Sequence, residues 1–270
     1  MSFADHRSKH PPPPWMWGRR SPVLWQMTLA LVLAVAVIFA AKTLLPASFA
    51  FAQRILYVTA HEGSHALASL LQGGDVSGFV IRPDGSGEVT ATNHDAVFSA
   101  LAGPVGPAWL AAVALMLGLV RVENTTLLLS TGTVLYVVAH CFGTDTRVFW
   151  ALLSWAAVTG LIGFAPIGPL VKSVTVLIFG LTLGLAVLDA LPYLWVEEVK
   201  TEATPLAQTL PTGDSEAETA TTTPSDVRLV ADVMGARDIT EARRILITLM
   251  AAGAALSTIG VTNFVLRHRL

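Results

Sequence analysis

The strongest constraint on this chain is a succession of apolar runs, at 23–45, 49–71, 95–120, 125–142, 148–164, 171–195 and 245–266. A bilayer core of about 30 Å is crossed by roughly 20 apolar residues in a helix. Inside hydrocarbon every backbone N–H and C=O must find its partner within the protein, and a helix meets that demand. Composition agrees. Hydrophobic residues make up 53% and charged residues 13%, where a soluble domain carries about 25% charged residues. The expected fold is an all-α polytopic membrane protein with about six or seven transmembrane helices. A net charge of -2 argues against nucleic acid as a partner. The single cysteine, Cys141, excludes an intrachain disulfide and a cysteine-based zinc site.

Residues 1–21 form a tail with prolines at 11–14, then Trp15 and Trp17 suited to the membrane interface. Arg7, Lys9, Arg19 and Arg20 place it in the cytoplasm by the positive-inside rule. No small-residue cleavage site follows, so the next run reads as a first span. Residues 22–196 form the transmembrane core. Within it, 76–92 changes character: Gly78 to Arg82 and Gly87 to Thr92 have strand composition, joined by Pro83-Asp84-Gly85-Ser86. This predicts a small β-hairpin inserted after the second helix. Pro104 and Pro107 are expected to break or kink the third helix.

Residues 197–226, rich in Thr, Ala, Pro and acid, read as a linker without structure. Residues 227–270 hold a short helix, from Val227 to about Gly235 and capped by Ser225 or Asp226, then the last span. Seven crossings would put the C-terminus outside. The basic end, Arg267-His268-Arg269, points the other way and would follow if 125–142 or 148–164 did not cross.

One run is unlike the others. At 61–65 it reads His61-Glu62-Gly63-Ser64-His65, the pattern H-E-x-x-H. Four residues apart on a helix, the two imidazoles share one face and can hold one zinc ion, with the carboxylate between them in reach of a water. Chance placement of the seven histidines and the glutamates would produce the pattern roughly 0.006 times in such a chain. Three ionisable groups on adjacent turns of a span are costly, about 2.5–3.5 kcal/mol for each charged group, and a bound cation offsets that cost. A third ligand is needed. His94, His140, Asp95, Asp145, Asp189 and Asp226 are the candidates. Asp145 is favoured because it opens a run after Gly143-Thr144. The same position would suit a plain helix N-cap. His140 is the second choice, or a group that orients a ligand or stabilises an oxyanion.

The motif helix, the glycine-bearing hairpin, Leu101-Ala102-Gly103-Pro104 and an Asp opening a later helix together resemble the site-2 protease class of intramembrane metalloproteases, family M50, over about residues 49–165. His65-Ala66-Leu67 and the late Ser225-Asp226 are similar to its M50B-like branch. Gly143-Thr144-Asp145-Thr146 departs from the Asp-Gly usual in that family. The resemblance implies an integral multi-pass protein of a prokaryotic cell membrane, with zinc as cofactor and a membrane-anchored protein as substrate. It further implies His61, His65 and Asp145 as ligands and Glu62 as general base. Phe79, Val80 and Ile81 would pair with an extended substrate strand. Two other readings are a non-proteolytic scaffold with a structural metal and a transporter with a proton relay.

Overall fold

A computed structural model describes residues 24–92, 95–120, 124–142, 145–195, 198–200, 222–224, 226–235 and 238–267. The tail at 1–21, His94, the Gly143-Thr144 pair and most of the linker lie outside the described residues. The elements in order are α1 (Leu24–Leu44), α2 (Pro46–Leu71), β1 (Asp75–Ile81), β2 (Gly87–Thr92), α3 (Ala96–Val120), α4 (Asn124–Phe142), α5 (Thr146–Phe164) and α6 (Pro169–Ala190). A 3-10 turn (Leu191–Trp195), β3 (Glu198–Lys200), β4 (Thr222–Pro224), α7 (Asp226–Met234) and α8 (Ile239–Arg267) complete the chain.

Among the described residues six helices are long and apolar enough to cross a membrane: α1, α3, α4, α5, α6 and α8. Both short runs, now α4 and α5, are among them. The exception is α2, because Gln53, Arg54, His61, Glu62 and His65 interrupt it. It packs instead against α1, α3, α5, α6 and the hairpin, with Leu67, Leu70 and Leu71 at its end exposed. Two expectations change. α3 runs unbroken through Pro104 and Pro107, both buried inside it. The ends of the linker are ordered, since β3 pairs antiparallel with β4.

Lipid tails are as apolar as leucine, so helices associate in a membrane through close packing and hydrogen bonds. Small residues supply the closeness. A Cβ on Gly132 of α4 would lie 2.8 Å from the Gly160 nitrogen of α5. The bonds are few. Gln53 Nε2 donates to Asp189 Oδ2 at 2.9 Å, tying α2 to α6. Trp109 Nε1 and the Ser257 hydroxyl join α3 to α8 through the carbonyls of Leu249 and Ala112, at 2.9 and 2.7 Å.

The hairpin lies on α2. In register Phe79 faces Val89 and Ile81 faces Gly87. Phe79 and Ile81 are buried in a cluster with Ile55, Leu56 and Val58 of α2. Its turn is locked onto the same helix: Arg54 Nη1 donates to the Asp84 carbonyl at 3.2 Å. Gly85 has φ +89, a left-handed conformation, and a Cβ there would strike the Arg54 side chain.

Candidate metal centre

The motif occupies the C-terminal half of α2. Glu62 is buried, and His61 and His65 are partly buried. The His rings stand edge to face with centroids 5.0 Å apart, as i, i+4 spacing predicts. His65 Nδ1 lies 2.7 Å from the carbonyl oxygen of Ser99 in α3. A carbonyl only accepts, so Nδ1 carries a proton, and in the neutral ring that leaves the lone pair on Nε2. This arrangement orients a metal-ligating histidine and raises its basicity. Ser99 is itself buried, 3.3 Å from the buried Ser69 hydroxyl.

The wall around the motif is made of glycine. A Cβ on Gly103 would collide with the His65 ring at Nε2, Cε1 and Cδ2. One on Gly106 would collide with the Ser64 hydroxyl. One on Gly87, the first residue of β2, would come within 2.5 Å of Glu62 Cγ and 2.7 Å of its Oε1. Gly63, inside the motif, has nothing within 4 Å of that position. Backbone therefore approaches His65, Ser64 and Glu62 where a side chain would block them. The sequence pointed to Gly103 and Gly106 only as part of a proline-broken helix start, and to Gly87 as a strand end. Their packing role, and that of Ser99, was missed. Spacing of Gly103 and Gly106 along one helix stripe was the signal available.

Asp145 is the N-cap of α5. Its Oδ1 accepts from the backbone N–H groups of Arg147 at 2.8 Å and Val148 at 3.4 Å, and Arg147 Nε stands 3.6 Å from the same oxygen. It lies at the hairpin's end of the bundle, since Phe79 of β1 rests on Phe142 of α4 with centroids 5.0 Å apart. Among the described residues no group of three or more His, Cys, Asp or Glu side chains is gathered closely enough to hold a metal ion. His61 and His65 are thus brought together, and Asp145 is not joined to them. His140 is exposed; its Nδ1 is 3.0 Å from the Tyr136 carbonyl, and its ring lies against Tyr136 and Phe149. Asp95 caps α3, accepting from Phe98 N at 3.0 Å. Asp189 is held by Gln53. The Asp226 side chain lies outside the described residues.

The residues present fit a zinc site as far as the histidine pair. The donors are imidazole nitrogens, the kind zinc takes, and His65 Nδ1 is tied to the Ser99 carbonyl, while the backbone of Gly103 stands close against Nε2.

An H-E-x-x-H pair on a helix packed inside a polytopic helical membrane protein points to the class of membrane metallopeptidases. Residues 28–237 match the family described as Peptidase M50B-like. The chain belongs to that family, and the match spans α2, the hairpin and α3 to α7, with α8 beyond it. No curated protein and no solved structure matches the chain.

Proposed function

We propose that the protein is an intramembrane zinc metalloendopeptidase that hydrolyses a peptide bond in or near the transmembrane segment of a membrane-anchored protein. The observation that carries this reading is the His65–Ser99 hydrogen bond, which holds the second histidine of the motif in the tautomer a metal ligand needs. His61, His65 and Asp145 would hold zinc, which supplies Lewis acidity toward the scissile carbonyl and toward water. The cap bonds and ion pair of Asp145 use Oδ1 and leave Oδ2 outside them, but Asp145 is not gathered with the histidine pair here, so serving as a ligand requires the start of α5 to move toward the histidines. Glu62 takes a proton from the attacking water as the water oxygen bonds the carbonyl carbon. It passes that proton to the amine nitrogen as the C–N bond breaks.

The hairpin would receive an extended substrate segment through its backbone. The side chains of Phe79 and Ile81 are committed to the core, and Val80 lies on the other face. The basic tail would lie on the cytoplasmic side.

The second reading is a non-catalytic membrane scaffold with a structural metal. The lack, among the described residues, of a third ligand gathered with the pair favours a non-catalytic role, although a structural zinc would need still more protein ligands than a catalytic one. Glu62 argues against it, because a structural site needs no base. Glu62→Gln decides. Zinc retained with cleavage of a membrane-anchored substrate lost supports the protease; equal cleavage by parent and variant defeats it. A zinc-loaded parent that cleaves nothing would leave the scaffold.

A further inference from the structure

The wall that holds His65 is also the weakest stretch of α3. Pro104 and Pro107 bring no backbone N–H, so the carbonyls of Ala100 and Gly103, four residues earlier, lose their partners within the helix. Gly103 and Gly106 add backbone freedom in the same turns. A proline in a helix interior removes a hydrogen bond and crowds the preceding turn. Yet α3 is continuous here, and the Ser99 carbonyl at the edge of the stretch meets His65 Nδ1 at 2.7 Å. Contacts from outside the helix have to hold these turns.

One side is held by α2. Ser99, Gly103 and Gly106 form a stripe that faces it, while Leu101 and Val105 lie on the opposite side of the helix. That opposite side is covered by α7. Val227, Val230 and Ala231, at the i, i+3, i+4 spacing of one helix face, form a buried cluster with Ala100, and Leu101 and Val105 pack at its margin. Val230 has no exposed surface. Ala242 and Leu246 of α8 and Leu194 of the 3-10 turn belong to the same cluster. The other face of α7 (Arg228, Leu229, Asp232) is exposed.

We propose that α7 is a brace for the zinc ligand His65 and that Val230 is a positioning residue. By pinning the proline-weakened turns of α3, it aims the Ser99 carbonyl at Nδ1 of His65. The inference rests on the zinc-site reading given under Proposed function.

The test uses the full chain in detergent, loaded with zinc or with cobalt(II) as a coloured substitute. Val230→Ala opens a gap in the buried cluster that α7 shares with α3. Leu229→Ala alters the exposed neighbour, and Val230→Ile keeps a β-branched apolar side chain at the site. Zinc affinity by chelator competition should fall about tenfold in Val230→Ala, the lower end for groups that support a metal-bound histidine. Its cobalt visible spectrum should change as well. Leu229→Ala and Val230→Ile should keep the parental affinity and spectrum. Parental affinity and spectrum in Val230→Ala overturn the brace even if that variant melts lower, since lost packing alone lowers melting. If Val230→Ala does not fold, Ala231→Gly, from the same buried stripe, takes its place with the same two outcomes. A parent that binds neither metal overturns the zinc site and the brace together; a parent that binds, with an unaffected variant, overturns the brace alone.

Discussion

Gly103→Ala is the sharpest perturbation the site offers. The added Cβ would lie 2.6 Å from Cδ2 of His65 and nearer still to Nε2 and Cε1. The ring cannot simply turn aside, because Nδ1 is tied to the Ser99 carbonyl at 2.7 Å. Either that hydrogen bond breaks, at a net cost of about 0.5–1.5 kcal/mol, or α2 and α3 separate, and overpacking of this kind costs about 1–3 kcal/mol. Both routes move Nε2 or free the ring from its tautomer. Loss of such an outer partner weakens metal binding about 10–100-fold. The assay is zinc content after dialysis against a graded chelator, beside thermal stability in the same detergent. Gly63→Ala is the internal control. It lies inside the motif with nothing within 4 Å of the new Cβ, and alanine improves helix propensity by up to about 1 kcal/mol. That variant should keep its zinc and lose no stability. If Gly103→Ala holds zinc as tightly as the parent, the glycine wall does not set the position of His65.

Two further substitutions separate roles that share a residue or a contact. Asp145→Asn keeps an N-cap, since Asn caps as well as Asp, but replaces the carboxylate. It should lower zinc affinity without lowering stability, whereas Asp145→Ala should also lose about 1 kcal/mol of capping. Unchanged zinc binding in Asp145→Asn would leave that residue as a cap alone. Gly87→Ala would push a Cβ to 2.5 Å from Glu62 Cγ. It should retain zinc yet slow cleavage, toward the roughly 10²-fold that a misplaced general base costs. Parental turnover in that variant would show that the hairpin does not set the position of Glu62.

The architecture was readable because its signals are local. Run length and apolar content specify spans, and Pro83-Asp84-Gly85-Ser86 between two strand-like segments specifies the hairpin, whose β1 and β2 fall within a residue of the expected 76–92. The meeting of His61 and His65 on one helix face was readable for the same reason, from their spacing. What escaped depends on partners distant in sequence. Ser99 became part of the site by presenting a backbone carbonyl, which any residue type could present. The two prolines were read by their intrinsic cost. Tertiary packing on both sides of α3 outweighs that cost, and the helix stays whole. The linker ends pair because β3 and β4 meet across the intervening chain, a contact that composition does not encode.

The polarity of α2 explains why the rest of the bundle is arranged as it is. A helix carrying Gln53, Arg54, His61, Glu62 and His65 is a poor solute for lipid, where each charged group costs about 2.5–3.5 kcal/mol. The chain offsets that by surrounding α2 with α1, α3, α5, α6 and the hairpin and giving its polar groups protein partners: Asp189 for Gln53, the Asp84 carbonyl for Arg54, the Ser99 carbonyl for His65. Enclosure alone would bring bulky side chains against the motif and close it. Gly87, Gly103 and Gly106 let protein replace lipid around the motif while leaving Glu62, Ser64 and His65 room. The demand for shelter and the demand for access thus fall on the same three positions. Alanine at Gly103 or Gly87 should therefore damage the chemistry more than alanine at Gly63, although Gly63 lies inside the motif itself.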